Sequence, residues 1–167
     1  DPATARAAFC QRGLLARVSK ERIASELCKL LCGRAAGRVL LEFPQVLAVF
    51  LPELEAQVGF DQCNPHHSFD LYTHTARTVA GVPQEAPLRL AALLHDIAKP
   101  ACFTKDEDGI GHFYGHAAQG AAMAEEITHR LRLDSATCTR VTQLVKWHDT
   151  QINPEARAVK RALRRMT

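Results

Sequence analysis

The sequence predicts an all-α fold, on three observations. Apolar residues recur three and four positions apart through most of the chain, the period of a helix with one buried face. β-branched and aromatic residues are sparse, while Ala, Leu, Arg and Glu dominate. Apolar residues make up 47% of 167 positions, enough for one packed core and too many for a disordered chain. No apolar run approaches the ~20 residues of a membrane span.

The elements follow in order. Residues 4–17 read as a helix that Gly13 weakens or ends. Ser19 caps a second helix, with Glu21 in its first turn and Ile23, Leu27, Leu30 and Leu31 as its buried stripe. Gly33 and Gly37 are expected to break it. Residues 38–50 form another helix, interrupted before Pro44, and Pro52 opens a short one. Residues 59–68 read as a loop around Asn64-Pro65. A helix runs from about Phe69 to Ala80, ended by Gly81 to Pro83. The next starts near Pro87, a favoured first-turn residue, and runs through Leu93-Leu94-His95-Asp96 until Pro100 stops it. Apolar residues nearly all round mark it as central and buried. Asp106-Glu107-Asp108-Gly109 signals a tight turn in a small hairpin or loop. Helices at about 115–131, 135–147 and 154–166 complete a set of seven to nine.

Charge is near balance but uneven. The net charge is +3, yet residues 157–167 carry Arg157, Lys160, Arg161, Arg164 and Arg165 with no acid. That end helix meets RNA phosphates, or it is the solvated face of a terminal helix, or it packs on segments outside this sequence. The six cysteines form no Cys-x-x-Cys pair, and Cys28 and Cys32 share a helix face with leucines, so a reduced, structural set is expected. The start, Asp1-Pro2-Ala3, has no initiator Met and no secretory signal; it reads as an excised segment of a soluble, cytoplasmic protein.

Eight histidines are many for this length, and their positions carry chemistry. His95-Asp96 closes an otherwise apolar helix, where a charge is costly unless it is paired or binds a metal. Adjacent residues point about 100° apart on a helix, so both reach one ion only where the helix ends. His74 sits on the preceding helix, and Trp147-His148-Asp149 follows another apolar helix end. Imidazole and carboxylate without thiolate suit Mn, Ni, Co, Mg, Fe or Zn in an open site rather than a structural zinc cage. Such a site polarises a phosphoryl oxygen and activates water. Lys99, one turn past Asp96, would neutralise developing phosphate charge. Each residue also has a plain structural reading: His95-Asp96 as a helix cap and its partner, His74 as a packed histidine. His116 and His148 matter chiefly for a second ion. His66 and His67 read as loop residues, and His112 and His129 as surface or packing.

The pattern His74, His95-Asp96, Asp149 resembles the signature of the HD superfamily of metal-dependent phosphohydrolases. The wider wording resembles the bacterial CCA-adding tRNA nucleotidyltransferases and related poly(A) polymerases. It includes Ser19-Lys20-Glu21-Arg22-Ile23, Phe50-Leu51-Pro52-Glu53-Leu54, His67 to Thr75, Leu88 to Pro100 and Gly111 to His116. The resemblance runs from about residue 17 to 149, and the long central run is its specific part.

The resemblance implies an HD-domain helical bundle over residues 61–167, preceded over 1–60 by neck and body helices that help hold tRNA. It implies a divalent metal on His74, His95, Asp96 and Asp149, with His116 and His148 on a second ion or on phosphate. His95, Asp96 and Lys99 become the catalytic candidates. The expected reaction is that of a phosphatase or 2′,3′-cyclic phosphodiesterase acting on nucleotide or tRNA-end phosphates. Nucleotide addition is not expected of this segment alone, because it needs a Gly-Ser turn and an Asp-x-Asp pair on a strand. Asp106 and Asp108 match that pair in spelling only. Two other functions remain open: a helical tRNA-binding module with a relict or structural metal site, and a nucleotide-sensing HD hydrolase that shares the ligands but not the wording.

Overall fold

The computed structural model describes residues 1–65, 68–152 and 154–166, without the side chains of Leu163, Arg165 and Met166. His66 and His67, and the side chain of Arg165, therefore lie outside the described residues. Helices dominate: α1 (Pro2–Cys10), α2 (Lys20–Leu31), α3 (Ala36–Glu42), α4 (Pro44–Leu47), α5 (Leu71–Gly81), α6 (Ala86–Leu94), α7 (His116–Arg130), α8 (Ser135–Trp147) and α9 (Ala156–Met166). Tight 3-10 turns occupy Arg12–Arg17, Pro52–Gln57 and Lys99–Cys102. One antiparallel pair, β1 (Thr104–Lys105) and β2 (Gly111–His112), forms the expected hairpin across the Asp106–Gly109 turn. No described helix is long and apolar enough to cross a membrane.

Local sequence explains the starts. Ser19 accepts the Arg22 N–H at the head of α2. Asp70 accepts from Tyr72 and Thr73, so α5 begins at Leu71 rather than Phe69. Asp134 accepts from Thr137 at the head of α8. Gly115, at φ +78°, supplies the left-handed turn that launches α7 directly into His116.

Two expectations need correction. The single helix over 4–17 is a short α1 followed by a 3-10 turn, and the change falls at Gln11, ahead of Gly13. Neither piece buries a residue, so no packing carries regular α-helix through the glycine. Gly37 does not break a helix; it lies inside α3. A Cβ there would sit 3.0 Å from the Ala76 carbonyl oxygen and 3.0 Å from Ala80 Cβ, so its bareness is what lets α3 lie against α5.

The core is continuous. Leu31 of α2, Leu40 of α3, Leu54 of the second 3-10 turn, Leu93 of α6, Ile127 of α7 and Val141 of α8 belong to one buried cluster. α6 is the central rod: Leu90, Leu93 and Leu94 are almost fully buried, with α2, α5 and α8 packed around it. At about 25 cal/mol per Å² of apolar surface, each such leucine contributes roughly 1.5–3 kcal/mol. Polar ties also run from the first 60 residues to the rest. The Tyr72 hydroxyl donates to the Leu40 carbonyl at 3.0 Å, and Arg130 grips Glu53 with two hydrogen bonds of 2.7 and 2.8 Å.

Candidate metal centre

Four helix ends meet in one place. His74 comes from the first turn of α5, and His95 and Asp96 from the point where α6 stops. His116 is the first residue of α7, and His148 directly follows α8. The C-terminal end of α6 is what lets two adjacent side chains aim at one spot. His95 is the residue that caps its C-terminal end, and Asp96 follows in the turn that leads into the 3-10 segment at Lys99–Cys102.

Asp96 is the hub, and it is 2% exposed. Its Oδ2 lies 3.0 Å from His95 Nε2, 3.5 Å from His74 Nε2 and 3.0 Å from Lys99 Nζ. Its Oδ1 lies 3.5 Å from both His116 Nε2 and His148 Nε2. One carboxylate thus joins two donor groups, His74–His95–Asp96 and Asp96–His116–His148, each compact enough to hold a metal ion.

The histidine tautomers fit that role. His95 Nδ1 contacts the Ala92 carbonyl at 2.9 Å, His116 Nδ1 the Phe113 carbonyl at 2.8 Å, and His148 Nδ1 the Val145 carbonyl at 2.7 Å. A carbonyl oxygen only accepts, so each Nδ1 carries a proton, and in the neutral ring Nε2 is left with a bare lone pair. Those nitrogens lie close to their neighbours: His95 Nε2 is 3.1 Å from His74 Nε2, and the Nε2 atoms of His116 and His148 are 3.3 Å apart. Acceptor atoms packed this closely around a carboxylate repel one another unless a proton or a cation sits among them. Backbone carbonyls that fix the ring tautomer are the usual outer support of metal-ligating imidazole.

The same geometry sets the protonation preferences. Burial alone would raise the Asp96 pKa. Hydrogen bonds with His148 and His95 and the charges of His95 and Lys99 overcome it and hold the carboxyl far below the usual carboxylate range. Burial would lower the His148 pKa, but Asp96 and the Val145 carbonyl reverse this and raise it.

The groups open onto a cleft of about 550 Å³. Asp149 lines the cleft and is exposed, outside both compact donor groups. Lys99 is 7% exposed and already engaged: besides Asp96 it donates to Gln62 Oε1 at 3.0 Å and lies over the Phe113 ring at 5.0 Å. Gln62 was not evident from sequence. It sits in a polar loop with no periodicity, yet it is 1% exposed and ties Lys99 to the Phe69 carbonyl. Asp106 stays in the solvated hairpin turn, holding His112 at 2.8 Å, and His129 is exposed. The basic residues Arg157, Lys160, Arg161 and Arg164 are exposed on α9 at i, i+3, i+4 and i+7, on one helix face, and are not among the residues lining the cleft.

Comparison with known proteins agrees with this arrangement. Residues 66–164 match the HD domain family, and residues 1–58 match the family described as probable RNA and SrmB-binding site of polymerase A. The chain is 39% identical over 163 residues to the CC-adding tRNA nucleotidyltransferase of Thermus thermophilus, covering 93% of this chain and 37% of that protein. It is 34% identical over 167 residues to the A-adding tRNA nucleotidyltransferase of Deinococcus radiodurans, covering 95% of this chain and 38% of that one. A multifunctional CCA protein of Neisseria gonorrhoeae is 32% identical over 135 residues, covering 77% of this chain and 32% of the relative. The chain thus spans a little over a third of the length of the first two relatives. With its donor groups at four helix ends and a match over residues 66–164, this chain belongs to the HD domain family, in the form that tRNA nucleotidyltransferases carry together with an RNA-binding segment.

Proposed function

We propose that the cleft is a metal-dependent phosphohydrolase centre acting on phosphomonoesters and 2′,3′-cyclic phosphodiesters of nucleotides or tRNA ends. The observation that carries this is the sharing of buried Asp96 between two histidine pairs whose Nε2 atoms converge on it. His74, His95, Asp96 and Asp149 would hold one divalent ion. His116 and His148 would hold a second ion or the substrate phosphate. The metal, drawn from Mn, Ni, Co, Mg, Fe or Zn, would supply the Lewis acidity that polarises a phosphoryl oxygen and favours ionisation of an attacking water.

The chain's own groups do the rest. Asp96 fixes the positions of four imidazoles and stays ionised because its surroundings hold its pKa so low. His95, His116 and His148 keep their Nδ1 protons on backbone carbonyls, so none needs to reorient when a ligand arrives. Lys99, held by Gln62, offsets negative charge that builds up beside Asp96.

The test is hydrolysis of 2′,3′-cyclic AMP and a generic phosphomonoester by protein stripped of metal and reloaded with each ion, beside an Asp96→Ala control. Activity that requires metal and disappears in the control supports the proposal. Activity unchanged in both His95→Ala and Asp96→Ala would sink it.

A second reading rests on different observations, the exposed basic face of α9 and the match of residues 1–58 to an RNA-binding family. There the chain is a helical tRNA-holding part of a tRNA nucleotidyltransferase, and the metal groups are structural or relict. Absence of hydrolysis with any metal, together with salt-sensitive tRNA binding, would favour it.

A further inference from the structure

Tyr114 has the most exposed ring among the described large hydrophobic side chains, at 76%, yet its plane is fixed. It lies parallel to the His112 imidazole, with ring centroids 5.4 Å apart and 9° between planes. His112 is fixed in turn by Asp106, whose Oδ2 is 2.8 Å from its Nε2. Asp106 is anchored by the N–H groups of Asp108 and Ile110, at 3.1 and 2.8 Å. The hairpin turn therefore holds the imidazole that holds the phenol. Behind them, Phe113 packs against Phe103 at 5.6 Å and Phe60 at 6.4 Å, so the wall is a packed aromatic layer rather than a loose loop.

Position adds the function. His112, Tyr114 and His116 line the same cleft as Asp96, and only Gly115 separates Tyr114 from the ligand-bearing His116. A phosphate needs no more than the floor of this cleft, whose volume of about 550 Å³ falls in the usual range for small-molecule sites. A flat ring, backed on one face and left to solvent on the other, fits a flat π-ligand. Unpaired nucleobases stack on such aromatic side chains, with about 1–3 kcal/mol lost on truncation to alanine.

We propose that Tyr114, backed by His112, is a nucleobase-stacking platform that holds the base of a nucleotide whose phosphate lies at the Asp96 histidine cluster. This rests on the phosphohydrolase reading for where the phosphate sits, but its test reads binding. Tyr114 is a binding residue, and His112 and Asp106 are positioning residues for it.

The experiment titrates AMP and ribose 5-phosphate, each as its non-hydrolysable phosphonate analogue, into the whole chain with Mn²⁺ present, by calorimetry. Wild type should bind AMP about tenfold more tightly than ribose 5-phosphate, as expected for one stacked base. Tyr114→Ala should bring that ratio close to one, Tyr114→Phe should keep it, and His112→Ala should reduce it. The exposed position makes Tyr114→Ala a low risk to folding, which circular dichroism checks. Equal wild-type affinity for the two ligands, or a preference that survives Tyr114→Ala, overturns the proposal. A base preference without hydrolysis under any metal sinks the phosphohydrolase reading and leaves the stack standing, whereas hydrolysis without base preference does the reverse. In competition, a short RNA ending in adenosine displaces AMP if RNA ends reach the platform, and fails to if only free nucleotides do. The stack stands in both cases.

Discussion

Lys99 Nζ lies 3.0 Å from Asp96 Oδ2, the oxygen that His74 and His95 also approach. The chain thus places its own cation on the carboxylate oxygen where a metal would bind. Both partners are buried, with side chains 8% and 2% exposed. Removing one member of such a pair costs roughly 3–5 kcal/mol, because the other charge is left uncompensated. Lys99→Met should therefore lower the melting temperature of metal-free protein, and Mn²⁺ should raise it by more than it raises wild type. Equal metal-induced shifts would show that Lys99 and the ion do not share the Asp96 charge.

Asp96 belongs to both donor groups, whereas His148 belongs to one. With two ions bound, His148→Ala should lower the metal content from two per chain to one, and Asp96→Asn should remove both. Elemental analysis after dialysis against Mn²⁺ reads this directly. Asp149→Ala adds a separate check: an affinity loss at the His74 group would make Asp149 a ligand, and no change would leave it a residue of the cleft mouth.

The helical period and the breakers were legible in the sequence because they act locally. Ser19, Pro44 and Pro87 each impose a helix boundary through their own backbone or cap chemistry. The His95-Asp96 pair was legible because a charged dipeptide closing an apolar helix is costly without a partner. Gln62 and Gly37 were not, since their reasons lie elsewhere in the chain. Gln62 is defined by Lys99, and Gly37 by the carbonyl of Ala76. The pairing of His112 with Tyr114 was hidden likewise, because it depends on how the hairpin turn presents Asp106.

Gly111 tests how strictly the hairpin must sit on the loop before α5. A Cβ there would clash with the Gln62 carbonyl oxygen and lie 2.8 Å from Phe103, and the Gly111 N–H already donates to the Cys63 carbonyl at 2.8 Å. The obstacle is backbone, so it cannot swing aside. Gly111→Ala should cost at least the ~1–3 kcal/mol of an overpacked site and shift the strand that leads to His116. Urea denaturation would measure the first effect, and weakened Mn²⁺ binding the second. Wild-type stability in the variant would contradict the close approach.

Glu53 ties the second 3-10 turn to α7 through Arg130. Burial would raise the Glu53 pKa, but the Arg130 hydrogen bonds and charge outweigh it and leave the carboxyl lowered. A lowered folded pKa gives stability that is fully present above the unfolded value of about 4.3 and is lost as pH falls through the folded value. Glu53→Gln should therefore cost a few tenths to about 1 kcal/mol at pH 7, the range of partly exposed ion pairs, and nothing near pH 2. Denaturation midpoints at the two pH values check the sign. An equal loss at both would assign the effect to packing rather than to charge.

The basic face of α9 makes a prediction that separates charge from shape. Arg157, Lys160, Arg161 and Arg164 are exposed along it, and no acidic residue lies between 156 and 167 to offset them. If this face meets tRNA, each phosphate neutralised releases condensed counterions, and log K falls with log salt by roughly 0.7–0.9 per contact. Replacing Lys160 and Arg164 with Gln should weaken tRNA binding at low salt and make that slope shallower by about 1.5. Filter binding across a salt series gives both quantities at once. A weaker complex with an unchanged slope would mean that the substitutions disturbed the seating of α9 on α8, with the phosphates held elsewhere on the chain.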